Sequence, residues 1–179
     1  MFKSIYKRVI VIVLIALAVY SAIFSYLYSS YTLKETKSQM VEIIDKIDEY
    51  VDYNDLQSSI SEIQSFIRLK NSRITMISPD GNVIAETDKE LGRLENHNNR
   101  PEIISAEKGN VGVIIRYSES LKLGMLYIAK KSKDTNNIIR LAIPYSNKLV
   151  FIKTLLPTSI ITTIITLLLA MIISSRVMK

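Results

Sequence analysis

The side chains best equipped for recognition chemistry fall between positions 95 and 119. Arg100 and Arg116 are planar forks, each able to hold a carboxylate or phosphate through paired N–H donors. Arg100 directly precedes Pro101-Glu102, where a helix is expected to open with its positive end toward an anion. His97, the only histidine, stands three residues before Arg100, and Tyr117 follows Arg116. Two uses are open to this set. Either the guanidiniums and Tyr117 take a small anion, with His97 sensing ligand or pH, or Arg100 and Arg116 pair with Glu95, Glu102 or Glu119 as internal salt bridges. In the second case His97 holds the loop ahead of Pro101 through its ring nitrogens.

Other chemistries are disfavoured. The chain has no cysteine, which excludes disulfides and thiolate catalysis. One histidine without a partner makes no metal trio. The 17 acids include no pair in a general acid/base context. There is neither a G-x-S-x-G elbow nor a phosphate-binding glycine loop. No catalytic residue, metal site or cofactor site is expected in this chain, which reads as a non-enzyme.

Two charge-free apolar stretches bracket the polar segment, Val9 to Tyr28 and Thr154 to Ser174. Each is about 20 residues, enough to cross roughly 30 Å of hydrocarbon as a helix. The expected organisation is a tail (1–8), a first membrane helix (9–28), an outside segment (29–153), a second membrane helix (154–174) and a short linker start (175–179). Lys3, Lys7 and Arg8 precede the first span, and Arg176 and Lys179 follow the second. All 17 acids and 18 of the 23 Lys and Arg lie between them, so the middle carries +1 of the chain's +6. The positive-inside rule then puts both termini in the cytoplasm and the middle outside a two-pass plasma-membrane protein. Because the basic excess reports topology, a nucleic-acid partner loses its support. A cleaved signal peptide is the rival reading of the first span. Its small-x-small site, Ala16-Leu17-Ala18, lies inside the apolar run, and Tyr26, Tyr28 and Tyr31 suit an outer aromatic belt. The uncleaved anchor is therefore the expectation. In the second span Pro157 is placed one turn in, freeing a carbonyl that Thr158, Thr162, Thr163 and Thr166 would relieve unless they bond across a helix pair. Lys153 is expected to snorkel outward.

The outside segment has its own order. Met40, Ile44, Ile47 and Val51 recur at helical spacing, continuous with the first span. Leu56, Ile60, Ile63 and Ile67 repeat that spacing out of phase, which predicts a break near 52–55, with Asn54 and Gln57 as a capping box. Arg73-Ile-Thr-Met-Ile alternates like a half-buried strand, Pro79-Asp80-Gly81-Asn82 is a turn, and Val83 to Glu86 returns. A short helix from Pro101 to near Gly109 precedes three strands, Val111 to Ser118, Gly124 to Lys130 and Ile138 to Tyr145. Val111, Val113, Ile115 and Tyr117 share one strand face, and Ile74, Met76, Ile115 and Ile128 are expected in the core. The economical packing is α+β, an antiparallel five-stranded sheet with long N-terminal helices.

Three runs carry a resemblance: RITMISPDGNVIAETD, ENHNNRPEI and RYSESLKLGMLYIAK. Their motif residues are Asp80, Gly81, Asn96, His97, Arg100, Pro101 and Glu102, followed by Arg116, Tyr117, Ser118, Met125, Tyr127 and Ala129. In order and spacing they resemble the extracytoplasmic PAS-like (single-Cache) domain of two-component sensor histidine kinases of the phosphate-regulon (PhoR) type. The resemblance covers about Arg73 to Tyr145 and implies a sensor domain between two membrane helices, passing a conformational signal inward. It also implies a cytoplasmic half, with a HAMP linker and a histidine kinase using ATP and Mg, that addresses a response regulator. The chain reaches SSRVMK about where that linker would begin, so it holds the input half. His97, placed outside, is not the phosphoacceptor.

The stripe Met40, Ile44, Ile47 and Val51 is heptad-like and is expected to be the seam of a homodimer. The outer partner would be a small anion or an extracytoplasmic protein. Alternatives to the kinase input are the input of a chemoreceptor or cyclase, and a stand-alone membrane scaffold that binds protein.

Overall fold

The computed structural model of the chain describes residues 2–67, 71–87, 96–119, 121–145 and 156–177. Among these residues the elements run α1 (Phe2–Tyr50), α2 (Leu56–Ile67), β1 (Arg73–Ile77), β2 (Val83–Glu86), α3 (Pro101–Glu107), β3 (Gly112–Ser118), β4 (Leu123–Lys131), β5 (Ile138–Pro144) and α4 (Leu156–Val177). They divide into two compact units, Met1–Lys34 with Asn147–Lys179, and Glu35–Ser146.

In the first unit, α1 holds an apolar stretch that is long enough, by length and composition, to cross a membrane. Among the described residues the apolar run of α4 is Leu156–Ile172. Pro157 is the second described residue of α4, and the residues before Leu156, which would decide its place in the helix, lie outside the described residues. Thr162 Oγ1 donates to the Thr158 and Ser159 carbonyls, and Thr163 and Thr166 bond back to Ser159 and Thr162. These hydroxyls are therefore satisfied within their own helix. Lys153 lies outside the described residues.

The second unit is α+β. Its five strands form an antiparallel sheet in the order β2-β1-β5-β4-β3. The chain leaves α1 where the periodicity slips, with residues 51–55 non-helical. Here the expected capping box gives way to a different arrangement. The Asp55 carboxylate accepts the Ser58 N–H (3.4 Å), capping α2. Gln57 instead turns to edge strand β2, donating to the Glu86 carbonyl (2.9 Å) and accepting its N–H (3.2 Å). A side-chain amide thus stands in for a strand and blunts that edge.

Register assigns the two faces. One carries Ile74, Met76, Leu126, Ile128, Ile139 and Leu141, all buried. Lys130, on the same face, pairs with Asp45 of α1 (2.5 Å), so the last turns of α1 lie along it. Met40, Ile44, Ile47 and Val51 are only 1, 1, 1 and 8% exposed within the single chain. The stripe expected to form a dimer seam is therefore the inner face of α1, already covered by its own domain. Ile115, on edge strand β3, is 44% exposed and is not core. Tyr117 and Val111 are exposed with it.

The opposite face holds Thr75, Ile77, Glu86, Ile138, Arg140, Ala129, Tyr127, Ile114 and Arg116. Helix α3 closes over it, burying Ile103 and Ala106 against Ile77, Ala129 and Ile138. The approach is close, since a Cβ on Gly112 would lie 1.8 Å from the Glu102 carbonyl oxygen. Strand β1 is buried at all five positions rather than half-buried. Its polar residues, Arg73 and Thr75, face a charged cluster instead of water.

Candidate functional site

That cluster is built from residues of all five strands and one helix. Arg140 stands in β5, opposite Thr75 of β1 on one side and Ala129 of β4 on the other. Its side chain is 3% exposed. Nη2 donates to Thr75 Oγ1 (3.1 Å), and Thr75 Oγ1 donates to Glu86 Oε2 (2.7 Å). Nη1 lies 3.6 Å from Glu102 Oε1 of α3. Arg116 of β3 grips the same carboxylate with both Nη atoms, at 2.9 and 3.4 Å. Arg73 reaches Glu86 Oε1 at 3.4 Å. Both guanidiniums that hold Glu102 also face the Tyr127 ring, Arg116 at 4.3 Å and Arg140 at 5.5 Å from its centre. Glu102 is one of the salt-bridge partners expected from the sequence. It is fully buried as the counter-ion of two arginines.

A second set of contacts joins the first hairpin to α3. Gly81 takes φ +80°, a conformation that favours glycine. Its carbonyl accepts the His97 N–H (2.8 Å), and the His97 carbonyl accepts the Arg100 N–H (3.0 Å). Asn96 Nδ2 donates to the Asp80 carbonyl and to Asn82 Oδ1, and Asn96 Oδ1 accepts the Asn98 N–H. Asp80, Gly81, His97 and Arg100 act here through the backbone and Asn96 through its side chain, tying the β1–β2 turn to the start of α3. His97 holds this loop by its main chain.

The ring of His97 faces the charges. It is 7% exposed, and its Nδ1 has no hydrogen-bond partner among the described residues. Burial, with Arg140, Arg100, Arg116 and Arg73 nearby, pushes its pKa down to about 4, so the imidazole is neutral at neutral pH. Burial likewise lowers the pKa of Arg140, opposed by Glu86 and Glu102.

His97, Arg100, Arg116 and Tyr117, the four candidates from the sequence, line one cavity of about 230 Å³. Arg73, Glu86, Ser118, Glu119, Tyr127 and Arg140 complete its wall, and of these Arg73, Glu86 and Arg140 were not anticipated. The signal for Arg140 was present, as one charge inside the apolar run Ile138–Ile143, which a buried strand tolerates only with a partner. Of the internal pairings considered, Arg116 with Glu102 forms. Glu119 pairs with Lys122 (3.0 Å), and Glu95 lies outside the described residues. A larger groove of about 540 Å³ runs between α1 and α2. Its wall is mainly apolar and brings no cluster of polar groups together, so the arginine cavity is the better candidate. Among the described residues no group of acids, His or Cys is arranged to hold a metal.

No protein-family model matches the chain, and no curated protein matches it. Among solved structures it is similar to the extracellular domain of a protein named as a histidine kinase, at 15% identity and a TM-score of 0.38. The alignment covers 50% of this chain and 39% of that one. A likeness at this level carries no argument about fold or function.

Proposed function

We propose that the chain is the membrane-anchored input module of a two-component sensor histidine kinase, with an extracytoplasmic PAS-like (single-Cache) domain. The observation that carries this reading is the convergence of the motif residues. Stretches around residues 80, 97, 100 and 116 meet at one clamp and one charged cavity. The α+β unit, with its five-stranded antiparallel sheet behind a long N-terminal helix, is the architecture the resemblance implies. In this reading the domain faces outside between two membrane helices and performs no catalysis of its own. ATP, Mg and the response regulator belong to the kinase half, and the phosphate-regulon type is the nearest pattern by motif.

Topology tests the reading directly. The chain has no cysteine, so single cysteines report without background. In intact cells an impermeant maleimide should label Asp134→Cys, in the exposed β4–β5 turn, and should reach Lys3→Cys only after permeabilisation. The reverse pattern would overturn the proposal.

A further inference from the structure

Charge and unmet hydrogen-bonding groups point the same way in the arginine cavity. Four guanidiniums, Arg73, Arg100, Arg116 and Arg140, line it. Glu86 and Glu102 are the buried carboxylates of the network, while Glu119 is turned to Lys122 at the surface. Among the buried polar atoms at this cavity, Arg140 Nε and His97 Nδ1 have no hydrogen-bond partner among the described residues. Arg140 Nε is an obligate donor. Buried groups of this kind are satisfied in stable proteins, and whatever satisfies a buried guanidinium N–H must be an acceptor that tolerates a cationic surround.

We infer that this cavity is the binding site of a small oxyanion, a carboxylate or phosphate group, held by Arg140 and His97 with Arg100 and Arg116 beside them. The volume of about 230 Å³ suits a small ion, since drug-sized ligands occupy about 300–1,000 Å³. Glu102 acts as a positioning residue. It fixes the Arg116 and Arg140 planes from α3, and the Tyr127 ring supports both. The neutral imidazole serves either form of ligand, giving an N–H to a carboxylate or accepting the O–H of a monoprotonated phosphate. The inference deepens the reading of the chain as an input module by naming what its domain takes.

The test is calorimetric titration of the full chain in lipid nanodiscs with sodium phosphate and, separately, sodium succinate, in chloride buffer. Saturable binding of at least one ion is expected, and the ion bound identifies the source of the oxyanion. Arg100→Gln, at a half-buried position, should weaken binding about tenfold or more with an unchanged melting temperature. His97→Gln supplies a second variant that leaves the Glu102 network intact. A folded chain that binds neither ion, or binding indifferent to both variants, overturns the site. Neither of those results touches the maleimide labelling pattern, so the two readings fail separately.

Discussion

Replacing Glu102 by Gln tests whether α3 is held to the sheet by charge. The carboxylate is fully buried, with Arg116 gripping both oxygens and Arg140 3.6 Å away. Removing one partner of a buried ion pair costs about 3–5 kcal/mol, because the remaining charge is left uncompensated. Two features place Gln at the low end. Arg140 keeps its bond to Thr75 and its neighbour Glu86, and the Arg116 side chain is 24% exposed, so water recovers part of the loss. The expected cost is about 3 kcal/mol for Glu102→Gln and about 4 kcal/mol for Glu102→Ala, which also opens a cavity. For a domain of this size that lowers the melting temperature by roughly 10 °C. The assay is thermal unfolding of the full chain in detergent micelles, followed by tyrosine near-ultraviolet circular dichroism. A loss of only about 1 kcal/mol, the worth of a surface pair, would refute the reasoning.

Other expectations follow from the same contacts. Gly112→Ala forces a methyl to within 1.8 Å of the Glu102 carbonyl, which is backbone and cannot swing aside, so about 2–3 kcal/mol should be lost in the same melt. Ile44→Ala should cost about 2–4 kcal/mol and leave the oligomeric state in light scattering unchanged, because Ile44 is internal core. A lost dimer with unchanged stability would restore the seam. His97 titrates at about 4 in the folded chain against an ordinary 6.5. As pH falls the unfolded chain binds the proton first, so the stabilising contribution is whole above about pH 6.5 and is lost as pH drops toward about 4. Allowing for water in the cavity, roughly 1–2 kcal/mol should disappear over that window in pH-dependent melts, and His97→Gln should flatten the slope.

Local pattern carried the elements and missed their partners. The break at 52–55, the Gly81 turn, the Pro101 helix and the strand meander rest on spacing and turn chemistry, and they stand where the sequence puts them. Spacing says only that Met40, Ile44, Ile47 and Val51 share a face. It cannot say whether a sheet of the same chain or a second copy covers that face. Period-two alternation in β1 suggests a wet face for Arg73 and Thr75, but β1 is flanked by strands on both sides and α3 closes over it. Ile115 fails for the opposite reason, as an apolar residue left exposed on an edge strand. The site was half legible. His97, Arg100, Arg116 and Tyr117 lie close together in sequence, whereas Arg73 and Arg140 reach the cavity only through β1–β5 pairing across 65 or more residues.

The central claim is that this chain drives an output across a membrane. It is tested most directly by fusing the chain to the linker and kinase of a sensor kinase of known output and measuring autophosphorylation in membranes. The native fusion would be compared with Arg100→Gln and Glu102→Gln. The account predicts an active fusion whose phosphorylation level shifts severalfold in at least one variant, because a change at the cavity biases the conformation passed inward. An inserted, active fusion with the same output in all three would contradict it.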